Sequence, residues 1–451
     1  MRVHHLVAST IDHVALLISD SFALNKPQRR FQFEAMWTRR DECRDIIKEA
    51  WIGSVRVDNP CDIVAGLKSC VDDLSKWNRA VFGNVPRLIT DNVLVAFEMM
   101  HYLEHKKEGK DSSMAIKLDM SKAYDKVEWD FIEQVMRTLG FYERWIGLIM
   151  RCITIVSYSV FINGVAHSNI MPSRGLRQGD PLSSYLFLLC ADGFSSLINK
   201  AIRSQAMSGL SICRGSPMIS HLFFTDDSLL FCKASSQECQ QLIDILWLYE
   251  AASGPKVNTN KSSVFFSANT LGELKIETLD ILGPMQDSWH SKYLGLPSII
   301  KKSKMDVFAE IKERVERKLS GWKEKILSFG GREILIKAVG QAIPTYTMSC
   351  FQLPKGLCDE IEMRRFWWGQ QGQESKIAWV SWRKLCISKL KGGMGFRNLQ
   401  AFNLAMLAKQ SWRLLENPNS LVAQTYRTKY YPHGDAFNAG LGSSPSFLGE
   451  A

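Results

Sequence analysis

Residues 221–233 read HLFFTDDSLLFCK, and the fold turns on them. Two adjacent carboxylates, Asp226 and Asp227, stand between two apolar runs, residues 222–224 and 229–231. Runs of this length and composition read as buried strands, so the whole stretch predicts a hairpin with the aspartates at its tip. Two like charges about 4 Å apart repel by roughly 4 kcal/mol at an effective dielectric of about 20. Carboxylates set into an apolar run are costly unless a positive group offsets them. A divalent cation removes that cost, and Mg²⁺ is held by one or two carboxylates together with substrate phosphates. The hairpin alone leaves a second reading open, a polar turn with two solvated aspartates.

A second stretch bears on that choice. Residues 114–141 read MAIKLDMSKAYDKVEWDFIEQVMRTLGF. Met114, Ala115, Ile116 and Leu118 predict a short buried strand ending at Asp119. A carboxylate at the end of one core strand and a pair at the tip of a later hairpin can converge on two metal ions. Such a pair of ions clamps the attacking and leaving oxygens of an in-line phosphoryl displacement.

Four phrases now stand in order: KLDMSKAYDKVEW, PSRGLRQGDPLSSYLFLLCADG, FFTDD and SGPKVNTNKS. Together they resemble the successive palm motifs of reverse transcriptases, with wording nearest the plant non-LTR (LINE-type) retrotransposon group. The resemblance runs from about Phe31 to the C-terminus. It implies an α+β fold: a reverse-transcriptase palm (split βαβ, antiparallel sheet with helices on one face), then a mostly helical thumb and C-terminal extension. It also implies RNA-directed DNA polymerisation with two Mg²⁺ ions, Mn²⁺ being a substitute. The partners it implies are an RNA template, a DNA primer and deoxynucleoside triphosphates.

By the same resemblance Asp119 and Asp226 are the shared metal ligands, and Asp227 supports them or touches one metal more weakly. Thr225 replaces the usual alanine of the turn; a β-branched residue fits a strand edge, so the change is expected to be tolerated. Tyr124, five residues after Asp119, is the candidate gate against a ribose 2′-hydroxyl; a helix-entrance packing role is its plain alternative. Arg177, Gln178 and Gly179 open the second motif, where Gln178 meets the nucleotide or template base and Gly179 allows close backbone approach. Lys261 is the candidate proton donor to pyrophosphate, or else a surface lysine. Lys318, Lys323, Lys325 and Arg332 of the thumb are expected to meet phosphates without reading sequence.

The domain plan follows from the same phrases. Residues 1–28 contain STIDHVALLISDS, which resembles the last strand of an endonuclease domain. Its Ser-Asp-His triplet is altered to Ile11-Asp12-His13, and only ten residues precede it. A relic without nuclease activity is expected. Residues 29–86 read as a helical linker, 87–270 as palm, 271–350 as thumb and 351–451 as a basic, Trp-rich extension stopping before any ribonuclease H domain. Relatives carry a fingers segment with an RPISL-type phrase between linker and palm. None stands here, which implies an internal deletion, or a gene model that spliced it out, near Val85.

Local signals place the helices. Asp125-Lys126-Val127-Glu128 has the form of a capping box, predicting Asp125 as a helix cap rather than a third metal ligand. Asp180 and Pro181 predict a helix start, as do Ser235 and Glu238, with Gly254 closing the latter helix. Val307, Ile311, Val315 and Leu319 recur at helical spacing.

Composition agrees with a polyanionic partner. The 451 residues carry a net charge of +10, and residues 361–430 hold twelve Lys or Arg against three Asp or Glu, with five tryptophans among them. Basic and aromatic side chains interleaved suit a backbone-tracking groove with stacking platforms. A helical core with a solvated basic rim fits the same composition. The eleven cysteines form no CxxC pair, which argues against a zinc knuckle and for a reducing, intracellular setting. No signal peptide is read at the N-terminus, and the longest apolar run is too short to span a bilayer. Three alternatives remain: a mispredicted transposon copy from which no stable protein is made, a non-catalytic nucleic-acid-binding remnant, and a palm acting on mononucleotides as in cyclases. Cyclases carry a Gly-Gly-acidic hairpin, which this chain lacks.

Overall fold

The computed structural model describes residues 2–6, 15–19, 45 and 88–434, except 226, 288–291, 301–302, 321–326, 362, 369, 372–373, 376 and 433. The chain divides into two compact units, Met1–Gly83 and Asn84–Ala451. In the first, β1 (Arg2–Leu6) pairs antiparallel with β2 (Ala15–Ser19). Asp12, His13 and, apart from Asp45, the expected helical linker lie outside the described residues.

The second unit is built on β3 (Ser113–Leu118). Two short pairs flank the main sheet: β4 (Met120–Ser121) with β9 (Lys256–Val257), and β5 (Tyr158–Ile162) with β6 (Val165–Ile170). β7 (His221–Phe224) and β8 (Asp227–Lys233) are the two arms of the Asp-Asp hairpin. β10 (Ser263–Phe266) and β11 (Gln286–Asp287) complete a five-stranded sheet of order β11-β10-β3-β8-β7. Its pairings are antiparallel except β10 with β11. The expected all-antiparallel sheet is corrected there. A helix crosses over between those two strands and returns the chain in the same direction, as a parallel pair requires.

Successive residues of a strand face opposite sides, so β3 and β8 divide into two sets. Met114, Ile116, Leu118, Leu230 and Cys232 are buried with Val264, Phe266 and residues of α4 (Pro181–Arg203) and α5 (Ser236–Ser253). Ala115, Leu229 and Phe231 are buried on the other side with α1 (Ile89–His105) and the C-terminal helices. Helices therefore cover both faces, not one as expected. The physical reason is legible in MAIKL and SLLFC: both side-chain sets are apolar, and a strand apolar on both faces needs cover on both.

Two helix starts form as the spacing predicts. Asp180 accepts a hydrogen bond from Leu182 N ahead of α4. Ser235 accepts from Glu238 N ahead of α5, and Gly254 closes that helix at φ +91°. Asp125 is a correction. The helix after it, α2 (Trp129–Thr138), has Glu128 at its N-cap. Residues 124–128 are drawn away from helical geometry by other partners: Gly175 N donates to Val127 O, Leu176 N to Tyr124 O, and Glu128 N to Ser253 O. α3 (Glu143–Thr154) packs on α2. By length and composition α4 matches a bilayer-spanning helix over Leu182–Arg203, against the sequence expectation. Leu186, Phe187, Leu189, Cys190, Phe194 and Ile198 are buried, so its apolarity serves the protein core.

Beyond α6 (Gly272–Leu282) lies the small hairpin of β12 (Lys292–Tyr293) and β13 (Leu296–Pro297), and then helices. α7 (Lys304–Ser320) buries Phe308, Ile311, Val315 and Leu319, with Val307 half-buried. α8 (Phe329–Leu335) follows. α9 (Leu399–Glu416) and α10 (Leu421–Tyr430) end the described chain. α10 docks on α1. Glu98, fully buried, accepts from Lys429 Nζ at 2.7 Å and from the Tyr430 hydroxyl at 3.1 and 3.2 Å. Arg413 of α9 pairs with Asp91 of α1.

Candidate active site

The β3–β8 ladder ends at Leu118↔Ser228. Asp119 directly follows Leu118 and Asp227 directly precedes Ser228, so continuing this register by one residue sets the two aspartates opposite one another. Both belong to the side-chain set that contains Lys117 and Leu229. Lys117 Nζ lies 3.5 Å from Asp227 Oδ1, a diagonal cross-strand ion pair. Asp226 lies outside the described residues. Phe224↔Asp227 is the last pair of the hairpin.

Thr225 stands in the turn, at φ +52°, its hydroxyl bonded to Phe224 O at 2.7 Å. Two-residue hairpin loops need positive φ and favour Gly or Asn. A β-branched residue there is an outlier costing on the order of 1–3 kcal/mol.

The fourth motif is tied to Asp119 by backbone. Asp119 N donates to Ser262 Oγ at 3.1 Å, and Asn258 N donates to Asp119 O at 2.8 Å. Lys261 sits in that short turn, exposed, its amide bonded to Asn258 O. The same turn that positions Lys261 therefore fixes the backbone of Asp119.

The second motif is tied to Tyr124. Gly175 has φ +92°, and an added Cβ would stand 2.6 Å from Asp125 O. Only glycine allows this approach, which lets residues 175–176 bond to Tyr124 and Val127 and lets Trp129 Nε1 donate to Gly175 O at 2.8 Å. Tyr124 is half-buried and its ring stacks on Phe187 of α4 at 4.5 Å. Arg177, Gln178 and Gly179 follow directly and are exposed, with Gly179 at φ +83°.

The structure thus brings Asp119, Asp227 and the Lys261 turn to one end of the sheet, and bonds the Tyr124 loop to the strand of chain leading into Arg177. Lys318 is exposed on α7. Lys323 and Lys325 lie outside the described residues. Arg332 donates to Trp367 O at 3.0 Å and lies over the Phe329 ring.

Three neighbours of Asp227 were not singled out in the sequence. Lys117 is one. Tyr293 and Tyr346 are the others: burial pushes both phenols up, and the negative charge of Asp227 adds to it. Lys117 could have been found from its place two residues before Asp119 on the same strand face. Tyr293 and Tyr346 carry no such signal, because they reach the site only through tertiary packing.

The donor set at this end is carboxylate oxygen, which suits hard divalent cations such as Mg²⁺ and Mn²⁺. Among the described residues, no group of three or more His, Cys, Asp and Glu gathers around one point. Asp119 and Asp227 fit a divalent ion by chemistry, and Lys117 marks the place as one where positive charge is accommodated.

Comparison with known proteins agrees with this architecture. Residues 67–298 match the model of the family described as reverse transcriptase (RNA-dependent DNA polymerase). The chain belongs to that family. It is 39% identical over 138 residues to a putative ribonuclease H protein of Arabidopsis thaliana, a match covering 30% of this chain and 22% of that one. An uncharacterized mitochondrial protein of the same plant is 45% identical over 109 residues, 24% of this chain and 71% of the relative. An uncharacterized 149 kDa protein of transposon TX1 from Xenopus laevis is 27% identical over 325 residues, 68% of this chain and 23% of the relative. The chain spans less than a quarter of the first and third of these relatives.

Proposed function

We propose that the chain is part of a plant non-LTR (LINE-type) retrotransposon reverse transcriptase, with palm at 87–270, thumb at 271–350 and the fingers segment missing. Its chemistry is RNA-directed DNA polymerisation from a DNA primer using deoxynucleoside triphosphates. The observation that carries this reading is the register ending at Leu118↔Ser228, which sets Asp119 level with Asp227 at the tip of the Asp-Asp hairpin. Asp119, Asp226 and Asp227 would hold two Mg²⁺ ions, with Mn²⁺ as substitute. Bound divalent ions supply a lower cost of ionising the primer hydroxyl and a counter-charge for leaving pyrophosphate.

The other residues act around that centre. Lys261 hands a proton to pyrophosphate. Tyr124, held against Phe187, excludes a ribose 2′-hydroxyl. Gln178 meets the incoming nucleotide or template base, and Gly179 lets the backbone come close. Lys318, Lys323, Lys325 and Arg332 neutralise phosphates of the bound strands. Buried free thiols at Cys190, Cys232, Cys239, Cys350 and Cys358 support a reducing, intracellular setting. Activity is weak or lost, because the segment that clamps triphosphate and template in relatives is not found between linker and palm.

Primer extension on an RNA template tests this. The expected result is little or no synthesis by the chain alone. Robust synthesis that disappears on Asp226→Asn shows that the fingers are dispensable. The alternative, a non-catalytic nucleic-acid-binding remnant, is favoured by the Lys117–Asp227 ion pair, in which the protein supplies its own cation. It predicts no synthesis, no change in thermal midpoint with Mg²⁺, and RNA binding unaltered by Asp119→Asn.

A further inference from the structure

Outside the carboxylate end of the sheet, the largest uncompensated charge lies in the C-terminal region. Residues 377–415 contain seven Lys or Arg and no Asp or Glu. Some of these cations have structural partners. Lys389 pairs with Glu333 at 2.6 Å, Arg413 with Asp91, and Arg397 lies over the Phe402 ring. Arg383, Lys384 and Lys391 are exposed and form no ion pair among the described residues.

These three sit on a tightly built knuckle. A short helix, Trp382–Leu385, leads into a 3₁₀ turn, Lys389–Lys391, which Gly392 ends at φ +80°. The chain then doubles back. Met394 N donates to Leu385 O, Gly395 N to Ile387 O, and Gly393 N to Ser388 O. A Cβ at Gly393 would stand 2.0 Å from Ile387 O, so this return path requires glycine.

The knuckle is also anchored from below. Trp382 stacks on Phe396 at 5.0 Å, Phe396 meets Trp367 edge-on at 5.2 Å, and Trp367 meets Phe329 of α8 at 5.3 Å. Lys337 Nζ donates to Met394 O at 2.7 Å. While Trp382 and Trp367 are spent on this ladder, Trp379 stands 80% exposed beside it in sequence and Leu390 is 98% exposed at the turn. In sequence this exposed indole stands beside three cations that form no ion pair among the described residues.

We infer that the knuckle formed by residues 379–391 is a contact site for single-stranded RNA. Arg383, Lys384 and Lys391 neutralise successive phosphates, and Trp379 gives an unpaired base a face to stack on. The charge selects a polyanion, and the exposed indole selects one with accessible bases, which a duplex lacks. This deepens the reading of the chain as an RNA-handling protein and rests on it for the choice of RNA. It adds a site separate in sequence from every palm motif.

The test uses the full chain, in EDTA, with a fluorescent unstructured RNA oligonucleotide and anisotropy as readout. EDTA removes the carboxylate centre from the question, so failure of polymerisation and failure of this site are read independently. The triple variant Arg383→Gln, Lys384→Gln, Lys391→Gln is expected to lower the slope of log K against log salt by about two, from about 0.7 per phosphate contact on a single strand. Trp379→Ala is expected to weaken RNA binding about tenfold with an unchanged salt slope. A control variant with Lys107, Lys110 and Lys200 changed to Gln loses the same charge and is expected to keep most of the affinity. Thermal midpoints of all variants should match the parent, since none of these side chains is buried. The inference is overturned if the triple variant loses no more than the control. It is equally overturned if a blunt duplex binds as tightly as the RNA, or if Trp379→Ala has no effect.

Discussion

Lys117 and Asp227 form a diagonal ion pair across neighbouring strands at the mouth of the site, Nζ to Oδ1 3.5 Å. The lysine is two residues before Asp119 on the same strand face, so it reaches one carboxylate position while flanking the other. An ion pair with both partners partly exposed contributes at most about 1 kcal/mol. Lys117→Met should therefore cost about 0.5–1 kcal/mol in urea denaturation without divalent ions. The same variant should gain more from Mg²⁺ than the parent, because a competing cation has been removed. A larger rise in thermal midpoint with Mg²⁺ for Lys117→Met checks this; an equal rise shows that lysine and metal do not share the site.

Thr225 occupies the hairpin loop at φ +52°. Glycine takes that conformation without steric cost. Thr225→Gly should stabilise the chain by about 1 kcal/mol in the same denaturation assay, the relief of strain exceeding the added freedom of the unfolded chain. A loss of stability would mean that the Thr225 hydroxyl bond to Phe224 O matters more than the backbone strain.

The parts of the fold that local rules govern were legible in the sequence. The Asp180 and Ser235 caps, the strand ending at Asp119 and the buried stripe of α7 each follow from residues within a few positions of one another. Asp125 was misread because its partners are remote: Gly175 and Ser253 claim the backbone that a capping box would have used. The two-sided cover of the sheet was missed although both faces of MAIKL and SLLFC are apolar. The site divides in the same way. Asp119 and the Asp-Asp hairpin are readable as motifs, whereas the backbone bonds joining Asp119 to Asn258 and Ser262, and Tyr124 to Leu176, are set only by the folded chain.

Glu98, Lys429 and Tyr430 join α1 to α10 across more than 300 residues, in a region where Glu98 is fully buried. Burial works against the Lys429 ammonium, yet Glu98 draws its pKa above the ordinary lysine value. Removing Lys429 leaves the Glu98 carboxylate buried without compensation, whereas the Lys429 ammonium is only partly buried. Lys429→Met should therefore cost about 3–5 kcal/mol, and Glu98→Leu less. The double variant should recover most of either loss, because two apolar residues replace a desolvated pair. A double-mutant cycle by urea denaturation gives the coupling directly. Additive losses would show that α10 is not held to α1 by this pair.

Alkaline stability follows from the buried thiols and phenols. Burial pushes Cys190 and Cys350 up to about 12, and Cys239 and Cys358 up to about 11, from an ordinary value of 9.0. Burial also raises Tyr249, Tyr293, Tyr346 and Tyr426 above the ordinary 10.0. Each of these groups holds its proton more tightly in the fold than in the unfolded chain. Their contribution is complete below pH 9 and is lost as pH rises through the folded values, since the unfolded chain sheds protons that the fold retains. Each such proton steepens the decline by about 1.4 kcal/mol per pH unit. Urea midpoints should thus be insensitive to these groups from neutral pH to about 9, then fall steeply between about 9 and 12. Cys190→Ala should make that fall shallower, and an unchanged slope in that variant would show that Cys190 does not hold its proton in the folded core.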